Sequence, residues 1–159
     1  MLNKMLKWRK KNSKGFSLVE LIIVIAIMAI LVGILAPQFV QYVNKSRKST
    51  DIKNIQEIIS AVQVYVADSE NKVTSTSAGS LVIPAQNTKY TPSTADTNTN
   101  IVDKAMISAG INSFTPKSGE YAQTTISVTI DAKGAVQFAF AAGTGTGAGT
   151  GTLQTDLGM

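Results

Sequence analysis

The chain of 159 residues contains no cysteine and no histidine. The first absence excludes a disulfide framework and any thiolate metal site. The second removes the commonest general base and the commonest metal ligand. Carboxylate pairs need neither, but the sequence offers no catalytic constellation, so no enzyme, metal or cofactor is expected. Acids are missing from the first fourteen residues, which hold six of the fifteen lysines and arginines (Lys4, Lys7, Arg9, Lys10, Lys11 and Lys14). From Phe16 onward nine bases face ten acids, a net of −1. The formal charge of +5 therefore belongs to the leader, and bulk charge gives no ground for a nucleic-acid partner.

The basic leader gives way to an apolar run. Residues 16–36 (FSLVELIIVIAIMAILVGILA) number twenty-one. As a helix they reach roughly 32 Å at about 1.5 Å per residue, which matches a bilayer core of about 30 Å. In lipid the backbone must satisfy itself, so helix is the expected state. The positive leader places its own end in the cytoplasm and everything beyond Pro37 outside. A secretory signal peptide is the alternative, but its apolar region is shorter, and Gly33 and Ala36 form a poor outer cleavage site.

Glu20 interrupts the apolar pattern near the start of the run. An acid in the middle of a bilayer costs about 2.5–3.5 kcal/mol on insertion scales, and such a residue asks for a partner. Two readings stand on the residues alone. Glu20 either serves a function with a named counter-charge, or it reaches the headgroups and favours the helix N-terminus electrostatically. Pro37 lacks an N–H, and its ring crowds the carbonyl of Gly33, itself a poor helix former. The pair marks either a bend or a simple boundary between membrane span and soluble helix.

Lys14, Gly15, Phe16, Ser17, Leu18, Val19 and Glu20, set directly before and into the apolar run, resemble the type IV pilin signature: a basic leader ending in Gly, then Phe-Thr/Ser-Leu-Val/Ile-Glu. The resemblance is close over residues 14–37 and looser to about Asp68. It implies that a membrane prepilin peptidase cuts between Gly15 and Phe16, and that the new amine is N-methylated. It assigns Phe16 and Glu20 to assembly and Gly33 and Pro37 to a helix kink. The partners it implies are further copies of the chain, the peptidase, a membrane assembly platform and, before assembly, lipid. The physics is consistent with that assignment. Cleavage creates a cationic amine one helical turn from Glu20, and opposite charges taken out of water are each costly when left alone. The amine of the same chain and that of a neighbour are both within reach.

Beyond Pro37 the pattern becomes amphipathic. Ile52, Ile55, Ile59, Val62 and Val66 draw one helical stripe, with Lys53, Asn54, Gln56, Glu57 and Gln63 off it. The helix should end between Asp68 and Asn71, and from Phe16 it would span about 80 Å if straight. Lys45, Arg47 and Lys48 read as a solvated face, with headgroups or neighbouring acids as the other possibility. Leu81, Val82 and Ile83 before Pro84 predict a short strand. Residues 100–109 before Gly110 predict a short capped helix, and residues 91–100 a solvent loop. Ile126, Val128 and Ile130, then Val136, Phe138 and Phe140, alternate around Asp131, Ala132, Lys133 and Gly134, which predicts an antiparallel hairpin. Residues 143–152 (GTGTGAGTGT) are low in complexity and read as a tail or a loosely paired edge strand.

The expected organisation is a leader over 1–15, an apolar helix over 16–36, and an amphipathic helix over 37–70. A Ser/Thr/Asn-rich region over 71–123, a hairpin over 124–142 and a Gly/Thr-rich segment over 143–159 complete it. The class is α+β, a long N-terminal helix on a small antiparallel sheet. A pilin is the leading function, with a pseudopilin of a secretion or competence machine as its rival. Calcium sites in the C-terminal loops of such pseudopilins need acids, and the last twenty residues hold one, Asp156. A single-span anchored ectodomain that does not polymerise is the third reading.

Overall fold

The computed structural model describes residues 15–159 apart from 72, 75–76, 96–98, 132 and 142–152, and the side chain of Ser69. The leader before Gly15 and the Gly/Thr-rich run therefore lie outside the described residues. The described chain divides into two units, the first ending at Gln41 and the second covering Tyr42–Met159. Helix α1 (Leu18–Ala67) contributes to both and runs through Pro37 without a break in its helical assignment. It ends within a residue of the expected boundary, and a single 3₁₀ turn at Ser69–Asn71 comes next.

In the second unit α1 packs against a three-stranded antiparallel sheet in the order β1 (Ala78–Val82), β2 (Thr125–Ile130), β3 (Val136–Ala141). The architecture is α+β, as the sequence pattern predicts. Leu81 pairs with Ile126, and Ile126 with Phe140, so the alternating apolar residues of three strands share one face. That face and α1 enclose the core. Ile55, Ile58, Ile59 and Val62 come from the helix, and Leu81, Ile126, Val128 and Ile130 from the sheet. Ile52 and Val66 of the predicted stripe are half-buried at its ends, while Ile58 joins it. The buried face is wider than the 3–4 spacing suggests, because α2 (Ile101–Ser108) adds Ile101, Val102, Ala105 and Met106 beside the sheet.

Local chemistry fixes the turns. Asn100 caps α2 through Val102 N–H at 3.1 Å and also binds both backbone groups of Ser80, which ties the helix start to β1. That close approach requires a glycine next door. A methyl group at Gly79 would collide with Asn100 Oδ1 and lie 2.7 Å from Ile101 Cγ2. At the other end of α2, Ile111 N–H reaches Met106 C=O and Gly110 N–H reaches Ile107 C=O, a Schellman closure with Gly110 at φ 76°. In the hairpin turn Asp131 Oδ1 accepts the N–H groups of Lys133 and Ala135, both at 2.8 Å, and Gly134 takes φ 84°.

The tail or loosely paired edge strand expected over 143–152 lies outside the described residues of the C-terminal segment. The described part of that segment contains a short helix, α3 (Leu153–Leu157), with Leu153 buried in the core.

Candidate functional site

The described part of the first unit, residues 15–41, is exposed throughout. The large apolar residues of α1 from Leu18 to Leu35 are between 44 and 72% exposed, and Phe16 is 89% exposed. A soluble core helix would bury such a stretch, whereas none of the most apolar part of α1 is buried among the described residues. By length and composition the helix can cross a membrane.

The acid on this surface is tied down at its start. Ser17 immediately precedes α1, and Glu20 is the third helical residue. Ser17 Oγ accepts the Val19 N–H at 3.3 Å, and Glu20 Oε2 accepts the Ser17 N–H at 3.0 Å. The pair is a variant of the capping box, Ser-x-x-Glu, in which the hydroxyl takes the amide of the second helical residue rather than that of the third. It supports the helix-start reading of Glu20 without removing the other, since the second carboxylate oxygen accepts nothing among the described residues. Gly15 and Phe16 precede the helix on open, exposed chain. Gly33 and Pro37 lie four apart within α1, and a methyl group at Gly33 would touch nothing within 4 Å. Packing within the chain thus gives no reason for a glycine at 33. The structure brings Ser17 and Glu20 together. The motif includes both residues, but on sequence a role falls to Glu20 alone, and the Ser-x-x-Glu spacing is the signal that marks the serine as well.

The prokaryotic N-terminal methylation motif matches the chain over residues 10–36. The chain carries a type IV prepilin leader. Comparison with curated proteins and with solved structures gives no match. The prepilin motif implies processing by a prepilin peptidase and assembly into polymers, and with the apolar helix it fits a membrane-anchored precursor of a surface filament. The motif supports a prepilin-type protein, pilin-like or pseudopilin-like, and points to a structural subunit rather than to an enzyme.

The head of this prepilin-type chain closes without a disulfide. Lys48 of α1 forms ion pairs with Glu120 at 2.8 Å and with Asp156 of α3 at 3.1 Å. Asp156 also accepts the Tyr121 hydroxyl at 2.6 Å, and the Lys48 ammonium lies 5.7 Å from the centre of the Tyr121 ring. One turn further on, buried Asp51 accepts the N–H groups of Lys117 and Ser118 at 2.8 and 2.7 Å. The basic cluster is therefore not uniformly solvated, since Lys48 meets acids of its own chain.

These contacts shift three ionisations. The hydrogen bond to Glu120, aided by Asp156, raises Lys48 above the usual lysine range. Burial first, and then the bond to Asp156, raises Tyr121. The Tyr121 hydroxyl and then Lys48 lower Asp156. The Asp156 contribution to stability is therefore present above its unfolded pKa of about 3.9 and is lost as pH falls through its lower folded value. The Lys48 and Tyr121 contributions are present below about pH 10 and are lost as pH rises through their higher folded values. Stability of the head should plateau between about pH 4 and pH 10. Lys48→Met keeps the apolar stem and loses the charge, so it should flatten the acid limb and speed hydrogen exchange in α3. Melting temperature against pH and exchange of the residue 154–159 amides check both. The effect should be modest, because the Lys48 and Asp156 side chains are each 28% exposed.

Proposed function

We propose that the chain is a pilin, the structural subunit of a type IV pilus. It is inserted as a precursor with its leader inside, cut after Gly15, methylated at the new Phe16 amine and polymerised outside the cell. The observation that carries this reading is a helix whose apolar surface is left bare by its own chain, beginning at the prepilin motif and bearing one acid at its start. Lipid covers that surface before assembly and other copies cover it afterwards, so the same residues serve as anchor and as filament core. Glu20 supplies the counter-charge for a Phe16 amine inside the apolar filament. Gly33 and Pro37 supply a weak point at which α1 yields as copies pack.

A pilin is favoured over a pseudopilin by what the C-terminal acid does. Asp156 is held by Lys48 and Tyr121, so it is committed to closing the head rather than open to a cation. Electron microscopy of sheared surface material separates the readings. Long filaments of this chain are expected, whereas a short periplasmic piston or a non-polymerising anchor would leave none.

Cleavage provides the direct test. Gly15→Val puts a β-branched side chain at the scissile bond, where the native residue is exposed and an added Cβ would meet none of the described residues beyond its chain neighbours within 4 Å. The head is untouched, so the variant should fold, insert and remain uncut. Intact mass of the membrane-held subunit should show the leader retained. Removal at Gly15 at the normal rate, or a cut near Ala36, would overturn the assignment.

A further inference from the structure

We infer that Ser17 is a positioning residue for assembly, acting through Glu20. The inference rests on the reading of Glu20 as the assembly carboxylate. The first N–H groups of a helix have no acceptor within it. In water such groups are hydrated, and a lost cap costs about 1 kcal/mol. Inside the apolar core of a filament no water replaces the lost acceptor. Two side-chain acceptors serve the start of α1, the Ser17 hydroxyl and the Glu20 carboxylate.

The hydroxyl takes the Val19 N–H, and this division leaves the carboxylate with one backbone partner, Ser17 N–H, on one oxygen. That single bond fixes the rotation of the carboxylate. Oε1 accepts no hydrogen bond among the described residues, which leaves it able to receive an amine. Without the hydroxyl, the Val19 N–H is left unpaired in apolar surroundings, and the nearest strong acceptor is Glu20. The carboxylate then folds back onto its own helix and is withdrawn from the amine it serves. Ser17 therefore keeps Glu20 both oriented and available.

The test compares Ser17→Thr with Ser17→Val in the full chain. Valine matches threonine in size and branching and lacks only the hydroxyl, so steric effects near the cleavage site are shared. The readout is sheared filament per processed subunit, with processing checked by intact mass and Glu20→Gln run in parallel. Ser17→Thr should assemble like the native chain, and Ser17→Val should fall tenfold or more. Equal yields for Val and Thr, with Glu20→Gln defective, would overturn the role of Ser17 and leave that of Glu20 standing. Normal yield from Glu20→Gln would overturn the underlying reading instead. A second measurement does not depend on cleavage. In detergent micelles the Glu20 carboxylate carbon resonance should move between the Thr and Val variants, and Val19 amide exchange should rise in Val alone. An unchanged resonance would also overturn the inference.

Discussion

Glu20→Leu should yield a subunit that inserts at least as well as the native chain and is cut after Gly15, yet forms few or no filaments. Removing an acid from the apolar helix relieves the insertion cost. Glu20 lies beyond the scissile bond, so cleavage should persist. Assembly should fail because each Phe16 amine would enter an apolar core with no counter-charge. Breaking one side of a buried ion pair costs about 3–5 kcal/mol, and every 1.4 kcal/mol is about tenfold in an association constant. Each added copy would then bind at least about a hundredfold more weakly. The capping box makes Glu20→Gln the cleaner variant. A glutamine carbonyl can still accept the Ser17 N–H that Glu20 accepts at 3.0 Å, so helix capping survives while the charge is lost. Sheared filament relative to processed, membrane-held subunit is the measurement. Normal yield from both variants would make Glu20 a helix cap and nothing more.

Ile55→Asp should unfold the head or nearly so. Ile55 is fully buried where α1, α2 and the sheet meet. The substitution removes an aliphatic side chain worth about 2–5 kcal/mol on truncation and leaves an unpaired carboxylate in its place. A loss above about 3 kcal/mol is a large part of the roughly 5–15 kcal/mol that holds a domain together. Gln63→Asp changes the same helix on its exposed side and should stay within about 0.5 kcal/mol. Thermal melts of the full chain in detergent, read from the buried tyrosine environment near Tyr121, distinguish them. Equal losses would mean that the buried face of α1 has been misassigned.

Much of this fold is written in local periodicity. The hairpin is legible because Ile126, Val128, Ile130, Val136, Phe138 and Phe140 alternate around a turn whose Asp131 and Gly134 serve as their residue types suggest. Asn100 and Gly110 mark the ends of α2 for the same reason. What escapes is long-range. No local pattern marks Asp51, yet it is buried, because its partners are backbone N–H groups 66 and 67 positions away. The five residues of α3 are too few to show a helical period, and their hold comes from Leu153 in the core and Asp156 on Lys48. The candidate site divides in the same way. Gly15, Phe16 and Glu20 stand out through their motif; Ser17 belongs to the same motif, but its hydrogen bond to the Val19 amide beside that of Glu20 is seen only in the structure.

The closure of the head by Lys48, Asp156 and Tyr121, in a chain without cysteine, sets which solvents threaten it. A reducing agent finds no bond to cut, and a subunit emerging from the membrane needs no oxidant or isomerase before its C-terminus is fastened. Fastening is noncovalent, so no bond has to be remade for an opened head to close again. Its weakness is ionic instead. Concentrated salt or strong acid should loosen α3 under conditions where a cross-linked head would hold.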